Sequence, residues 1–66
     1  MVTVSVNGIS KAVAAATVAD LVASLGLAGK RIAVERNGEI VPRSRYTDTP
    51  LASGDRVEIV GAVGGG

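Results

Sequence analysis

Two Asn-Gly pairs, Asn7-Gly8 and Asn37-Gly38, each sit between short runs of β-branched and aliphatic residues. A two-residue hairpin loop needs positive φ at both positions, which glycine adopts freely and asparagine tolerates better than most residues. Each pair therefore predicts a tight hairpin, and each hairpin defines two strands. Before the first pair, Val2, Val4 and Val6 alternate with Thr3 and Ser5, the period-two pattern of a half-buried strand. Ile9 to Ala14 is the expected return strand, and Lys11 between Ile9 and Val13 marks it as a sheet edge. Before the second pair, Arg31 to Glu35 alternates with Ile32 and Val34 on one face; after it, Ile40 and Val41 form a short strand that Pro42 ends. Ser53-Gly54-Asp55 is a further turn signal, and the last strand, Arg56 to Val60, follows it. Val57 and Ile59 are expected inward on this strand, with Glu58 outward and Val60 on the exposed face.

Between the hairpins the period changes. Val18, Leu21, Val22 and Leu25 fall on one face of a helix spanning Thr17 to Leu25. Thr17 can cap it, Asp20 lies three residues on, and Gly26 stops it. Residues 42–55 lack either period and read as irregular, with Tyr46 packed over the core as a lid. The order is then β-β-α-β-β-β. One amphipathic helix must cover one face of a mixed sheet, because neither element can bury its apolar side alone. Pairing the first and last strands in parallel at the centre gives an α+β fold of the β-grasp type, a mixed five-stranded sheet on one helix. The expected core is Val4, Val6, Leu21, Leu25, Ile32, Val34, Leu51, Val57 and Ile59.

Composition restricts the chemistry. The 66 residues include no Cys and no His, so disulfides, thiol nucleophiles and the commonest bases and metal ligands are all missing. The six carboxylates, Asp20, Glu35, Glu39, Asp48, Asp55 and Glu58, are scattered and read as solubility charges. No serine has an evident activating partner, and no glycine spacing matches a phosphate-binding loop. Independent catalysis is not expected. A net charge of +1 and a single aromatic, Tyr46, do not fit a nucleic-acid-binding domain; Arg43 and Arg45 read as a solvated loop. The start MVTVSVNG has no signal-peptide pattern, and no apolar run approaches the ~18 residues of a membrane span. A soluble cytoplasmic protein, without membrane or nucleic-acid partners, is the expectation.

What remains is Gly64-Gly65-Gly66, a glycine run beyond the last strand with no turn to make. A frayed terminus is the ordinary explanation. Three features favour a working tail. Its root is the expected central strand. Gly61, Ala62 and Val63 leading into it are apolar and uncharged. Its terminal carboxylate has no Cβ beside it, so it can enter a narrow channel. Fully extended, residues 61–66 reach roughly 20 Å. The expected organisation is a β-grasp domain over residues 1–63 and a flexible glycine tail over 64–66, with Val60, Ala62 and Val63 as a partner-binding surface.

Three segments carry a family resemblance that extends over essentially the whole chain: SVNG at 5–8, VERNGEIVPRSRY at 34–46 and GDRVEIVGAVGGG at 54–66. They resemble the ThiS family, ubiquitin-like sulfur carriers of thiamine biosynthesis. The terminal Gly-Gly is common to all ubiquitin-like carriers, whereas the NGEIVPRSRY segment is more specific. The resemblance implies a protein co-substrate with no cofactor of its own. A ThiF-type adenylyltransferase, using ATP and Mg²⁺, would adenylylate the Gly66 carboxylate. Sulfur, delivered as a persulfide from a cysteine desulfurase, would displace AMP and leave a thiocarboxylate at Gly66. A ThiG-type thiazole synthase would then take that sulfur into the thiazole ring. Gly64, Gly65 and Gly66 would thread the partner's channel. The same fold and tail also suit the small subunit of molybdopterin synthase, a ubiquitin-like modifier, or a binding module whose tail is idle.

Overall fold

The computed structural model describes residues 1–61. Ala62, Val63, Gly64, Gly65 and Gly66, on which the tail expectations rest, lie outside the described residues. Five strands and one α-helix follow in the expected order: β1 Val2–Val6, β2 Ile9–Val13, α1 Val18–Ser24, β3 Ile32–Arg36, β4 Glu39–Val41 and β5 Arg56–Gly61. The strands form one mixed sheet ordered β2-β1-β5-β3-β4. β1 and β5 are parallel, with Ser5 opposite Arg56 and Val6 opposite Val57, and β3 runs antiparallel to β5 on its other side. This is the β-grasp arrangement, with β5 as the central strand and β2, carrying Lys11, at one edge.

Both Asn-Gly pairs form their hairpins with positive φ at each position: 52° and 84° at Asn7 and Gly8, 54° and 86° at Asn37 and Gly38. The helix begins in a reciprocal capping box. The Asp20 N–H donates to Thr17 Oγ1 at 3.3 Å, and the Thr17 N–H donates back to Asp20 Oδ2 at 3.2 Å. Asp20 thus does the work more often given to a longer acidic side chain, and it also accepts from the Ala16 N–H at 3.1 Å. At the other end the Gly26 N–H donates to the Ala23 carbonyl and the Leu27 N–H to the Val22 carbonyl, both at 3.0 Å. That pair of bonds requires the left-handed residue that Gly26 supplies at φ 75°.

The core lies between α1 and one face of the sheet. Val4, Val6, Val34, Val41, Val57 and Ile59 meet Val18, Leu21 and Val22, with Ala15 and Leu51 closing the sides. Leu25 and Ile32, expected in the core, are only half-buried at its margin. Both stand at the ends of their elements, where α1 and β3 run out from under each other. Strand limits also move by a residue: β2 stops at Val13 instead of Ala14, and β3 covers Ile32–Arg36 instead of 31–35.

Residues 42–55 are more ordered than their pattern suggests. Arg43–Asp48 forms a 3₁₀ helix, and Tyr46 packs half-buried against the core. The strap after it is tied to the start of α1: the Val18 N–H donates to the Thr49 carbonyl and the Leu51 N–H to the Ala16 carbonyl, each at 2.9 Å. This holds Leu51 in the core. Among the described residues no helix is long and apolar enough to cross a membrane.

Candidate functional site: the root of the C-terminal strand

β5 is fixed at both ends by the asparagines of the two hairpins. The Asn7 side chain continues the ladder where β1 turns away: its Nδ2 donates to the Ile59 carbonyl at 3.1 Å, and its Oδ1 accepts from the Ile59 N–H at 2.8 Å. On the opposite side of the strand Asn37 Oδ1 accepts from the Arg56 N–H at 2.8 Å, and the Asn37 N–H donates to the Arg56 carbonyl at 2.7 Å. The strand that leads into residues 62–66 is therefore held from both flanks as far as Ile59, and paired with β3 as far as Gly61, opposite Ile32.

Asp55, just before β5, corrects the expectation of a solvated charge. It is 8% exposed. Its Oδ2 accepts from Arg36 Nε at 2.9 Å and from the Ala52 N–H at 2.9 Å, and its Oδ1 accepts from Asn37 Nδ2 at 3.1 Å. Burial on its own pushes this carboxyl up. The hydrogen bonds from Ala52, Asn37 and Arg36, with the Arg36 charge, outweigh burial and hold it below the ordinary carboxylate value. Asp55 so joins the β3–β4 turn to the start of β5. No period or motif marks it in the sequence; the turn that places it there is visible, but its burial comes from Arg36 and Asn37 arriving from another hairpin.

The surface around Gly61 is apolar on both sides of the sheet. Val60 points away from the core, as its place in the alternation predicts, and is 63% exposed beside Ala33 of β3. On the helix side Ile9, Leu25, Leu27, Ile32 and Ile59 line a groove that ends at Gly61. The alternation of β5 places Val60 on the exposed face but does not reveal this groove. Its signals are the exposed Ile9 immediately after a turn and Leu27 immediately after the helix stop. Among the described residues no group of three or more acidic, His or Cys side chains is placed to hold a metal ion. A second apolar pocket is lined in part by Tyr46 and Arg43, and the Arg43 guanidinium donates to the Lys30 carbonyl at 2.9 Å. The chemistry this arrangement can offer is presentation of whatever follows Gly61 from a rigid, centrally held strand.

Residues 4–66 match the model of the ThiS family. The chain is 48% identical over 50 residues to the sulfur carrier protein ThiS of Bacillus subtilis, an alignment spanning 76% of each. It is 47% identical over 53 residues to a thiazole synthase of Paramagnetospirillum magneticum and 40% identical over 53 residues to a thiazole synthase of Magnetococcus marinus. Those alignments span 80% of this chain but only 16% of either synthase. The crystal structure of the thiamine biosynthesis protein ThiS from Geobacter metallireducens superposes with a TM-score of 0.80 at 34% identity, over 97% of this chain and 99% of that one.

Proposed function

The chain belongs to the ThiS family, and on that footing we propose that it is a sulfur carrier of thiamine biosynthesis whose reactive group is the Gly66 carboxylate. The observation that carries the proposal is the central strand β5, pinned by Asn7 and Asn37 and leading through Gly61 toward the glycine run. A rigid root with a side-chain-free end suits a group that must enter another protein's active site in a defined position.

In this reading the chain is a co-substrate. It needs no base, nucleophile or metal ligand of its own, in keeping with the lack of His and Cys. A carboxylate is a poor acceptor for sulfur until one oxygen becomes a good leaving group. A Gly66 carboxylate oxygen attacks the α-phosphorus of ATP on a ThiF-type adenylyltransferase, expelling pyrophosphate and forming an acyl-adenylate. ATP and Mg²⁺ are bound by that enzyme, whose positive groups balance the phosphate charge. The terminal sulfur of a persulfide, charged by a cysteine desulfurase, attacks the acyl carbon and releases AMP. A thiol then cleaves the resulting acyl disulfide, leaving the thiocarboxylate. The sulfur passes to a thiazole synthase. That partner is supported by the two synthases of which about a sixth of the length aligns with this chain. Gly64 and Gly65 would thread the channel, while Val60, Ala62 and Val63 would line the contact leading to it. Residues 1–63 would form the domain and 64–66 the tail. In this reading the chain works in the cytoplasm.

Intact mass spectrometry after incubation with ATP, the adenylyltransferase and the sulfur source tests the reading. A gain of about 16 Da, oxygen replaced by sulfur at the terminal carboxyl, is expected. Attachment to a target lysine would indicate a modifier instead, and an unchanged mass under conditions that load a known carrier would refute sulfur loading.

A further inference from the structure

An asparagine followed by glycine is open to attack by its own backbone, because glycine leaves the next nitrogen unshielded and free to move. The chain has two such pairs, and the fold ties each asparagine to β5 by three hydrogen bonds. For Asn7 these are the two side-chain bonds to Ile59 and a bond from its backbone N–H to the Val57 carbonyl at 2.9 Å. For Asn37 they are the side-chain bonds with the Arg56 N–H and with Asp55, and the backbone bond to the Arg56 carbonyl. The hairpins themselves differ in length. β1 and β2 pair at five positions, β3 and β4 at three. Fewer rungs make the second hairpin the easier one to open. Asn37 is exposed, and the space beside Gly38 is empty, with nothing within 4 Å of where a Cβ would stand.

We propose that Asn37 is a site of spontaneous deamidation, reached when the second hairpin opens, and that the product cannot restore the clamp on the start of β5. The step balances with water alone. The Gly38 backbone nitrogen gives up its proton and attacks Asn37 Cγ, forming a C–N bond. The Cγ–Nδ2 bond breaks, and Nδ2 takes up a proton and leaves as ammonia. Water then opens the five-membered imide at either carbonyl. Addition at Cγ gives aspartate; addition at the backbone carbonyl gives isoaspartate, in which the main chain runs through Cβ and Cγ. Ring closure requires the side chain to leave both partners and turn back on the Gly38 nitrogen, so the closed hairpin protects Asn37 and the open one does not. Neither product fits the place that Asn37 occupied. Its Nδ2 donates to Asp55 Oδ1 at 3.1 Å. An aspartate has no donor there and sets a second carboxylate against the first, where neither ionises freely. Arg36, the cation at this site, is already bonded to Asp55 Oδ2 at 2.9 Å. Isoaspartate lengthens a two-residue loop by one carbon and disturbs the pairing of Arg36 with Glu39 that the loop sets. The change is irreversible. It frees the start of the strand that leads to the tail, whatever chemistry Gly66 carries.

Asn7 serves as the control within the same molecule. The full wild-type chain is aged at mildly alkaline pH, folded and in concentrated urea, and peptide mapping follows the gain of about 1 Da at each asparagine. In urea the two pairs are expected to convert at similar rates. In the folded chain both should slow, Asn7 by at least about tenfold, with Asn37 at least about threefold faster than Asn7. Equal rates in the folded chain, faster conversion of Asn7, or no conversion of Asn37 after prolonged incubation overturns the assignment. The consequence is read on two samples: Asn37→Asp made directly, and the deamidated wild type separated by its added negative charge. Each is expected to melt about 4–8 °C below the unmodified chain at neutral pH. If Asn37→Asp does not fold, the separated wild-type product carries the measurement. Melting equal to the unmodified chain shows that the clamp survives, and overturns the release of β5.

Discussion

Asn7 and Asn37 each do two jobs, and only one is local. The backbone job, positive φ in a hairpin, follows from the dipeptide itself. The side-chain job, standing in for a missing ladder partner of β5, depends on a strand about fifty residues away for Asn7 and about twenty for Asn37. Asn7→Gly separates them, because glycine keeps the turn and loses both bonds to Ile59. Urea unfolding should show a loss of about 1–2 kcal/mol, with hydrogen exchange at Ile59 and Val60 accelerated beyond the rest of β5. Asp55 departs from its local pattern for the same physical reason: a carboxylate beside a turn is ordinarily solvated, and only the arrival of Arg36 and Asn37 from another hairpin makes it buried and bonded. Its folded pKa lies below the ordinary value of 3.8, so it contributes stability that is complete above that value and is lost as pH falls through the lower folded-state value. Asp55→Asn should cost about 1–3 kcal/mol at pH 7, because the amide cannot accept from all three donors. Thermal melts between about pH 5 and pH 2 should then converge for the variant and the wild type, since the wild type loses in acid what the variant already lacks. Parallel curves across that range would rule out the assigned role of Asp55.

At the level of elements, α1 is the one most exposed to small changes. It has seven residues, well short of the ~12–15 that give an isolated helix even marginal stability. Packing and caps must hold it. Thr17→Ala removes one arm of the capping box and should lower stability by about 0.5–2 kcal/mol, read from chemical denaturation. Leu21→Ala, at a site with no exposure, should cost about 2–5 kcal/mol and leave little margin in so small a domain. Elements with a strong internal period are legible in the amino-acid sequence: the alternation of Val2–Val6 and Arg56–Val60, the helical face of Val18, Leu21 and Val22, and the two hairpins. The 3₁₀ helix Arg43–Asp48 is not, because a turn of that kind buries only the half-covered Tyr46 and leaves no apolar repeat to read. Its order comes from Thr49 and Leu51, which tie the following strap to the start of α1.

At the scale of the whole molecule, stability and function are divided along the chain. The core, the Asn7 and Asn37 clamps and the Asp55 network all end by Gly61, whereas the proposed reactive group lies five residues farther on at Gly66. The glycine run and its apolar approach are the readable half of the site; the groove on the helix side is not, because it is assembled from strand residues and the end of α1 that only the fold brings together. The division makes a sharp prediction. Deleting Gly66 should leave the melting temperature within about 1 °C of wild type, since no core side chain changes. The same deletion should abolish productive sulfur loading. It moves the carboxyl back by one residue, about 3.4 Å along an extended chain, and displacements of about 1 Å can already cost on the order of 10²-fold in rate. Gly65→Val should fail by another route, because a β-branched side chain both restricts the backbone and widens a segment meant for a narrow channel. Adding one residue after Gly66 should fail by a third, replacing the carboxylate at that position with an amide. Pyrophosphate exchange with the adenylyltransferase, followed by intact mass, distinguishes the cases. All three variants should remain folded, with little exchange and no thiocarboxylate. Full loading of the chain lacking Gly66 would show that position along the tail does not matter, and the assignment of Gly66 as the sulfur-bearing residue would be wrong.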